Sequence, residues 1–227
     1  MPADAVLFSE MTPQPDWEDT FNTWYDTEHI PIRMKVPGFE GAQRYRDIAG
    51  GGYLAVYDMA APEVLESAEY LQIKNSPSEQ TASMLGSVSG FTRYTGKLIG
   101  LQMRPQVEDV DMLLSSPFLY AVFFSVPADS EADFNAWYDA EHVPMLLGCA
   151  EWLGCRRYRI VSGAPENFTH IALHHLKDLS ALDSPERARA RRTEWRDRLA
   201  SNDWFKGSYG TFARHGERFI GDAPQLS

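Results

Sequence analysis

Apolar, aromatic and β-branched residues gather into four strand-like runs in each half of the chain, separated by polar segments with helical spacing. In the first half the runs are Ala5 to Met11, Phe39 to Ile48, Tyr53 to Met59 and a last one near Phe91 to Met103. In the second half they are Phe118 to Val126, Trp152 to Val161, Thr169 to Leu176 and Phe205 to Phe219. After the first run of each half comes an acidic cluster, Asp16 to Asp19 and Asp129 to Glu131. Such a cluster places capping oxygens and negative charge where a helix exposes free N–H groups. A second helix is predicted over Pro62 to Lys74, and its counterpart within Ser180 to Leu199. The resulting order is strand, helix, strand, strand, helix, strand, twice over, which is the ferredoxin-like pattern of an α+β protein.

The two halves also share words. Phe-Asn-x-Trp-Tyr-Asp-x-Glu-His-x-Pro runs from Phe21 to Pro31 and again from Phe134 to Pro144. The same register carries Gly41, Arg44, Tyr45 and Arg46 onto Gly154, Arg157, Tyr158 and Arg159. Self-similarity at a fixed offset marks a tandem repeat. The fold class expected is therefore α+β, with two tandem βαββαβ units at 1–104 and 118–227. A linker at 105–117 joins them, where two prolines and several acids show no period. Pro31 and Pro144 lack a backbone N–H, so the carbonyls of Thr27 and Ala140 lose their helical partners, and the helix is expected to kink or end there.

Composition narrows the function. With 44% hydrophobic and 23% charged residues, the chain reads as an ordinary globular protein. A formal charge of −11 over 227 residues argues against nucleic acid and anionic membranes as partners. The two cysteines, Cys149 and Cys155, have no counterparts in the first half, so no disulfide framework or four-ligand zinc site is readable. The N-terminus lacks the basic start and apolar core of a signal peptide, and a cytoplasmic location is expected.

The repeated phrase supplies the candidate chemistry. On an α-helix Tyr25 and Asp26 lie four and three residues before His29, on one face, with Trp24 near Glu28. Tyr138, Asp139, His142, Trp137 and Glu141 repeat this arrangement. An imidazole oriented by a carboxylate is suited to general acid–base work. The same residues have a structural reading: tryptophans in the core, Glu28 paired with Arg44 or Arg46, and His29 bonded to a carbonyl freed by the proline. The halves differ at His170, His174 and His175, where the first has Tyr53, Tyr57 and Asp58. Strand alternation puts His170 and His174 on one face and His175 on the other. A metal site built from His142, His174 and Glu141 lacks a ligand motif. Arg44 and Arg157 have the forked geometry that binds a carboxylate or phenolate. The basic run from Glu186 to Arg198 reads as a solvated helix face. No glycine-rich phosphate loop or nucleophile elbow is present.

Trp-Tyr-Asp-x-Glu-His-x-Pro followed by Pro-Gly-Phe-x-Gly-x-x-Arg-Tyr, within a doubled βαββαβ order, resembles the dimeric α+β barrel superfamily and its EthD-like branch. The second copy departs from the pattern, with Cys149-Ala150-Glu151-Trp152 where the first has Val36-Pro37-Gly38-Phe39. The resemblance implies that both units build one intrachain barrel, with small-molecule pockets between sheet and helices. It points to a cofactor-independent lyase or isomerase acting on a hydrophobic aromatic or polyketide-like molecule. Carbon–carbon cleavage with loss of a small fragment, or dehydration, would serve the catabolism of aromatic compounds. His29, His142 and His174 would move protons, assisted by Asp26, Asp139, Tyr25 and Tyr138. Substrate would meet Arg44, Arg157, Trp24, Trp137, Tyr57 and His175. No cofactor and no metal is expected, and the resemblance leaves room for a homodimer. The alternatives are a non-catalytic ligand-binding module and a heme- or metal-dependent oxygenase.

Overall fold

A computed structural model describes residues 3–222. Met1 and Pro2 of the N-terminal reading, and 223–227 at the end of the second expected unit, lie outside the described residues. The described chain forms two compact units, neither of them continuous. One takes residues up to 97 with 161–165 and those from 215 onward; the other takes 98–160 and 166–214.

In the unit holding the first copy, β1 (Ala5–Thr12) pairs antiparallel with both β3 (Tyr53–Met59) and β4 (Ser89–Met103), and β3 also pairs with β2 (Phe39–Asp47). Between β1 and β2 run α1 (Glu18–Trp24) and α2 (Ile30–Met34). Gly38, at a φ of 91°, turns the chain from α2 into β2 in a conformation that glycine adopts without strain. Between β3 and β4 lie α3 (Ala68–Asn75) and α4 (Glu79–Ser87), whose N-caps Ser67 and Ser78 accept from the N–H groups of Tyr70 and Thr81. The sequence reading expected one helix here, from Pro62. Instead Pro62–Glu66 is a 3₁₀ turn and two capped helices follow, because each serine offers its own start. The core joins Leu7, Phe21, Trp24, Tyr25, Ile30, Phe39 and Tyr57.

The unit holding the second copy repeats the plan. A short helix, α5 (Val110–Leu114), stands within 105–117, capped by Asp109, with Leu113 and Leu114 buried. β5 (Phe118–Phe124) pairs with β7 (His170–Leu176) and β8 (Ser208–Ile220), and β7 pairs with β6 (Trp152–Ala164). α6 (Glu131–Trp137) and α7 (Val143–Leu146) precede β6, while α8 (Pro185–Ala190) and α9 (Glu194–Ala200) precede β8. Gly41 and Gly154 sit at equivalent bulges, where an added Cβ would fall 2.5 Å from the Arg218 guanidinium and 2.6 Å from Leu113 respectively.

The expected pair of tandem ferredoxin-like units is not what the strands form. The eight strands of the described residues close into a single barrel in the order β1-β3-β2-β8-β5-β7-β6-β4. The reason lies in strand length. β4 has 15 residues, yet its ladder with β1 uses only Ser89 to Lys97; β8 has 13, and its ladder with β5 ends at Ala213. The overrunning backbone groups need partners, and closure places β8 beside β2 and β4 beside β6.

Neither proline ends its helix. Tyr25–His29 and Tyr138–His142 wind as π-helical turns, in which Ile30 N–H bonds to Tyr25 O and Val143 N–H to Tyr138 O. The wider turn takes up one extra residue and lets the helix continue as α2 and α7 past a position that has no N–H to give.

Candidate active site

The first copy holds a partly open chamber of about 510 Å³, within the usual size of small-molecule sites (roughly 300–1,000 Å³). Its floor is Leu7, Ser9 and Met11 of β1 with Tyr57 of β3, and its roof comes from the π turn, α2, α3 and α4. His29 borders it, is 3% exposed, and stacks on Trp24 and Tyr25 with ring centres 4.4 and 4.6 Å away. Its Nδ1 has no hydrogen-bond partner among the described residues. Burial, then Arg33 and Arg44, hold His29 well below the usual imidazole range, so the ring is neutral at pH 7. Burial also raises the Tyr25 phenol, and lifts Tyr57 well above its ordinary range with Tyr25 beside it. Both phenols are therefore protonated donors at the chamber wall.

Charge at this wall is mostly positive. Arg33, Lys74 and Arg93 line the chamber, Arg33 donating to the His29 carbonyl at 2.6 Å and Arg93 to the Tyr70 hydroxyl at 3.0 Å. The carboxylate there, Glu28, accepts from the hydroxyls of Ser78 and Thr81, which lower its pKa.

Not every residue anticipated from the sequence reaches a chamber. Asp26 is not the partner of His29: it accepts from Arg44 at 2.8 Å. Asp139 likewise accepts from Arg157. The π turn explains this, because the extra residue brings Trp24, five positions back, against His29 and swings Asp26 away. Arg44 of β2 and Arg157 of β6 line neither the first-copy chamber nor its second-copy counterpart. Each lies over the tyrosine that opens the π turn of its copy, 4.5 Å from the ring centres of Tyr25 and Tyr138, and bonds an asparagine side chain, Asn22 or Asn135. Trp24 is core, its Nε1 donating to Thr81 Oγ1 at 3.1 Å. His175 faces away from the second chamber and meets Ser116 and Arg156. Glu28 meets hydroxyls and not Arg44 or Arg46, and His29 Nδ1 meets no carbonyl among the described residues. Arg33, Tyr70, Lys74, Arg93 and Thr81 are absent from the sequence-based expectations; the divergence of the second helical region between the halves was a signal for Tyr70, Lys74 and Thr81, and Arg33 of α2 and Arg93 of β4 had none.

The second copy has a narrower chamber of about 60 Å³. His142 and His174 border it with Tyr138, Trp137, Tyr120 and Tyr209. His174 accepts from Trp152 Nε1 at 3.2 Å and lies 3.2 Å from the Tyr138 hydroxyl. Burial holds His142 down to about 4 and His174 well below its ordinary value. Phe205, packed on Trp137 and Phe124, also lines this chamber. Among the described residues no three His, Cys, Asp or Glu side chains converge as a metal site, and no helix is long and apolar enough to cross a membrane.

No family model matches the chain, and no curated protein matches it. Solved structures do share its fold. An anthrone oxidase-like protein superposes with a TM-score of 0.71 at 10% identity, over 98% of this chain and 96% of its own. A proposed monooxygenase of Fusobacterium nucleatum gives 0.58 at 11% identity, over 100% of both chains. A chlorite dismutase of Candidatus Nitrospira defluvii gives 0.54 at 12% identity, over 94% of this chain and 92% of its own. These neighbours are dimeric α+β barrel proteins, and at such identities the likeness is one of fold.

Proposed function

We propose that the first half is an enzyme acting by proton transfer on a hydrophobic aromatic or polyketide-like molecule, as a lyase or isomerase needing no cofactor for that step. The observation that carries this reading is His29, a buried neutral imidazole with an uncommitted Nδ1, on the wall of a chamber large enough for a polycyclic ligand. The imidazole takes a proton from a carbon beside a carbonyl; the C–H pair forms a carbon–carbon double bond and the carbonyl π pair moves onto oxygen. Tyr25 and Tyr57 hydrogen-bond the oxyanion, and Arg33 and Arg93 add positive charge. The proton then returns to a different carbon of the conjugated enolate, or the enolate expels a β-hydroxyl that leaves as water with the imidazolium proton. For carbon–carbon cleavage the imidazole instead takes the proton of a β-hydroxyl, that oxygen becomes the carbonyl of the departing aldehyde, and the broken carbon–carbon pair gives the same enolate, which is protonated at carbon. Membership of the EthD-like branch and a tandem-fusion origin belong to the same proposal.

A second reading, oxidation, is favoured by the whole-chain likeness to the anthrone oxidase-like protein. Here the same carbanion is oxidised and dioxygen is the electron acceptor. One experiment addresses both: a panel of phenolic polycyclic ketones in deuterium oxide, with deuterium incorporation, product mass and oxygen uptake followed together. His29→Gln is expected to lower turnover about 10²-fold or more, the usual worth of a positioned acid–base group. His142→Gln should stay within about threefold. Full turnover by the His29 variant would remove the proposal, and oxygen uptake matched to product decides for oxidation.

A further inference from the structure

The narrow chamber of the second half has its own chemistry. In each half, two helix N-caps fix equivalent positions. Ser67 and Ser184 accept from the third residue of their helices, which are Tyr70 and Arg187; seven residues past each cap stand Lys74 and Arg191. Ser78 and Thr193 accept from Thr81 and Arg196, and their hydroxyls donate to Glu28 and Glu141. Tyr70, Lys74 and Thr81 all line the first chamber, and Arg187, Arg191 and Arg196 all line the second. Three equivalent wall positions have thus become arginine.

A second observation points the same way. Thr81 accepts the Trp24 Nε1–H in the first half, whereas Trp137, 2% exposed and lining the second chamber, has an Nε1–H with no acceptor among the described residues. A buried donor without an acceptor, in a chamber wall shared with three arginines, suits an oxygen that can accept from both. Among the described residues no carboxylate lines the chamber and Arg187 and Arg191 form no ion pair; Arg187 donates to the Leu182 carbonyl and lies over the Tyr120 ring, and Arg196 reaches the exposed Asp197 at 3.4 Å. Outside it, an open groove of about 440 Å³ shares the same three arginines and adds Arg192, with Asp183 at its edge.

We infer that the second half is a separate binding site for an oxyanion, the terminal phosphate or carboxylate of a small organic ligand, held by Arg187, Arg191 and Arg196 with Trp137 Nε1–H donating from below. The chamber admits the head group and the groove accommodates the remainder. This inference does not rest on the reaction assigned to the first half. With a formal charge of −11, the protein as a whole repels anions, so saturable binding requires a local site.

The test is calorimetric titration of the full chain with inorganic phosphate, and separately with benzoate, at low ionic strength. The two ligands distinguish a phosphate source from a carboxylate source. Saturable binding of at least one is expected, weakened about tenfold or more in Arg191→Gln and in Arg196→Gln, as for loss of one charge-assisted hydrogen bond. Arg189→Gln and Arg198→Gln remove the same charge from arginines paired with Glu186 and Asp133, and should change affinity by less than about twofold. The Trp137 indole N–H resonance should shift on saturation. Absence of saturable binding to either ligand, equal weakening in the control variants, or an unmoved indole resonance each overturns the inference.

Discussion

The guanidinium of Arg44 lies 4.5 Å from the centre of the Tyr25 ring while donating to Asp26, and Arg157 does the same with Tyr138 and Asp139. Helix and second strand are thereby clamped through a buried cation that meets an aromatic face and a carboxylate together. Asp26 serves this clamp and not the imidazole. Asp26→Asn should therefore lower unfolding free energy by about 1–2 kcal/mol, a figure reduced from buried-pair values because the carboxylate is partly exposed. His29-dependent turnover should remain within about threefold. Urea unfolding and initial rates measure the two effects, and a collapsed rate at unchanged stability would restore Asp26 to the reaction.

Filling the first chamber should block its ligand without unfolding the protein. Ile73 borders the cavity and is only partly buried, so Ile73→Trp can place its ring in open space. The thermal shift produced by a polycyclic phenol should vanish, while the melting temperature of the free protein moves by less than about 4 °C, equivalent to roughly 1 kcal/mol. A persisting ligand shift would mean that binding occurs elsewhere.

Acid should destabilise the fold through imidazoles that packing keeps neutral. His142 falls from 6.5 to about 4 on folding, and His29 moves in the same direction. Below pH 6.5 the unfolded chain takes up protons that the native ring refuses, so stability is lost as pH falls from 6.5 towards 4 and is flat, for this group, above 6.5. The contribution of His142 is about 3 kcal/mol across that window. His142→Gln should flatten the plot of stability against pH there, whatever its effect at pH 7. An unchanged slope would contradict a ring held neutral by its packing.

Thr81 is a junction in the first half, accepting from Trp24 and donating to Glu28 at 2.7 Å. Thr81→Val keeps the shape and removes the hydroxyl, leaving the buried indole N–H without an acceptor. A loss of about 1–3 kcal/mol is expected from denaturant midpoints, with an unchanged slope. A neutral result would show that water replaces the hydroxyl.

The strand and helix pattern was legible because alternation and capping act locally, and β3 begins and ends where expected, at Tyr53 and Met59. Opposite facing of His174 and His175 also follows from the two-residue period of a strand. Barrel closure entered only through the resemblance and not from the residues themselves: the excess length of β4 and β8 is visible in the chain, but the partners for that excess are not. Pairing of Asp26 with His29 assumed three- and four-residue neighbours, and the π turn changes which positions meet. Unequal chambers were hidden for a different reason. They depend on Tyr70, Lys74 and Thr81 against Arg187, Arg191 and Arg196, positions that align only once the serine and threonine caps are seen.

The disparity between a 510 Å³ cavity and a 60 Å³ one has a stoichiometric consequence. A bulky polycycle should saturate this polypeptide at a mole ratio of one, half of what its doubled sequence would promise. Kinetic constants normalised per chain then already describe a single working compartment.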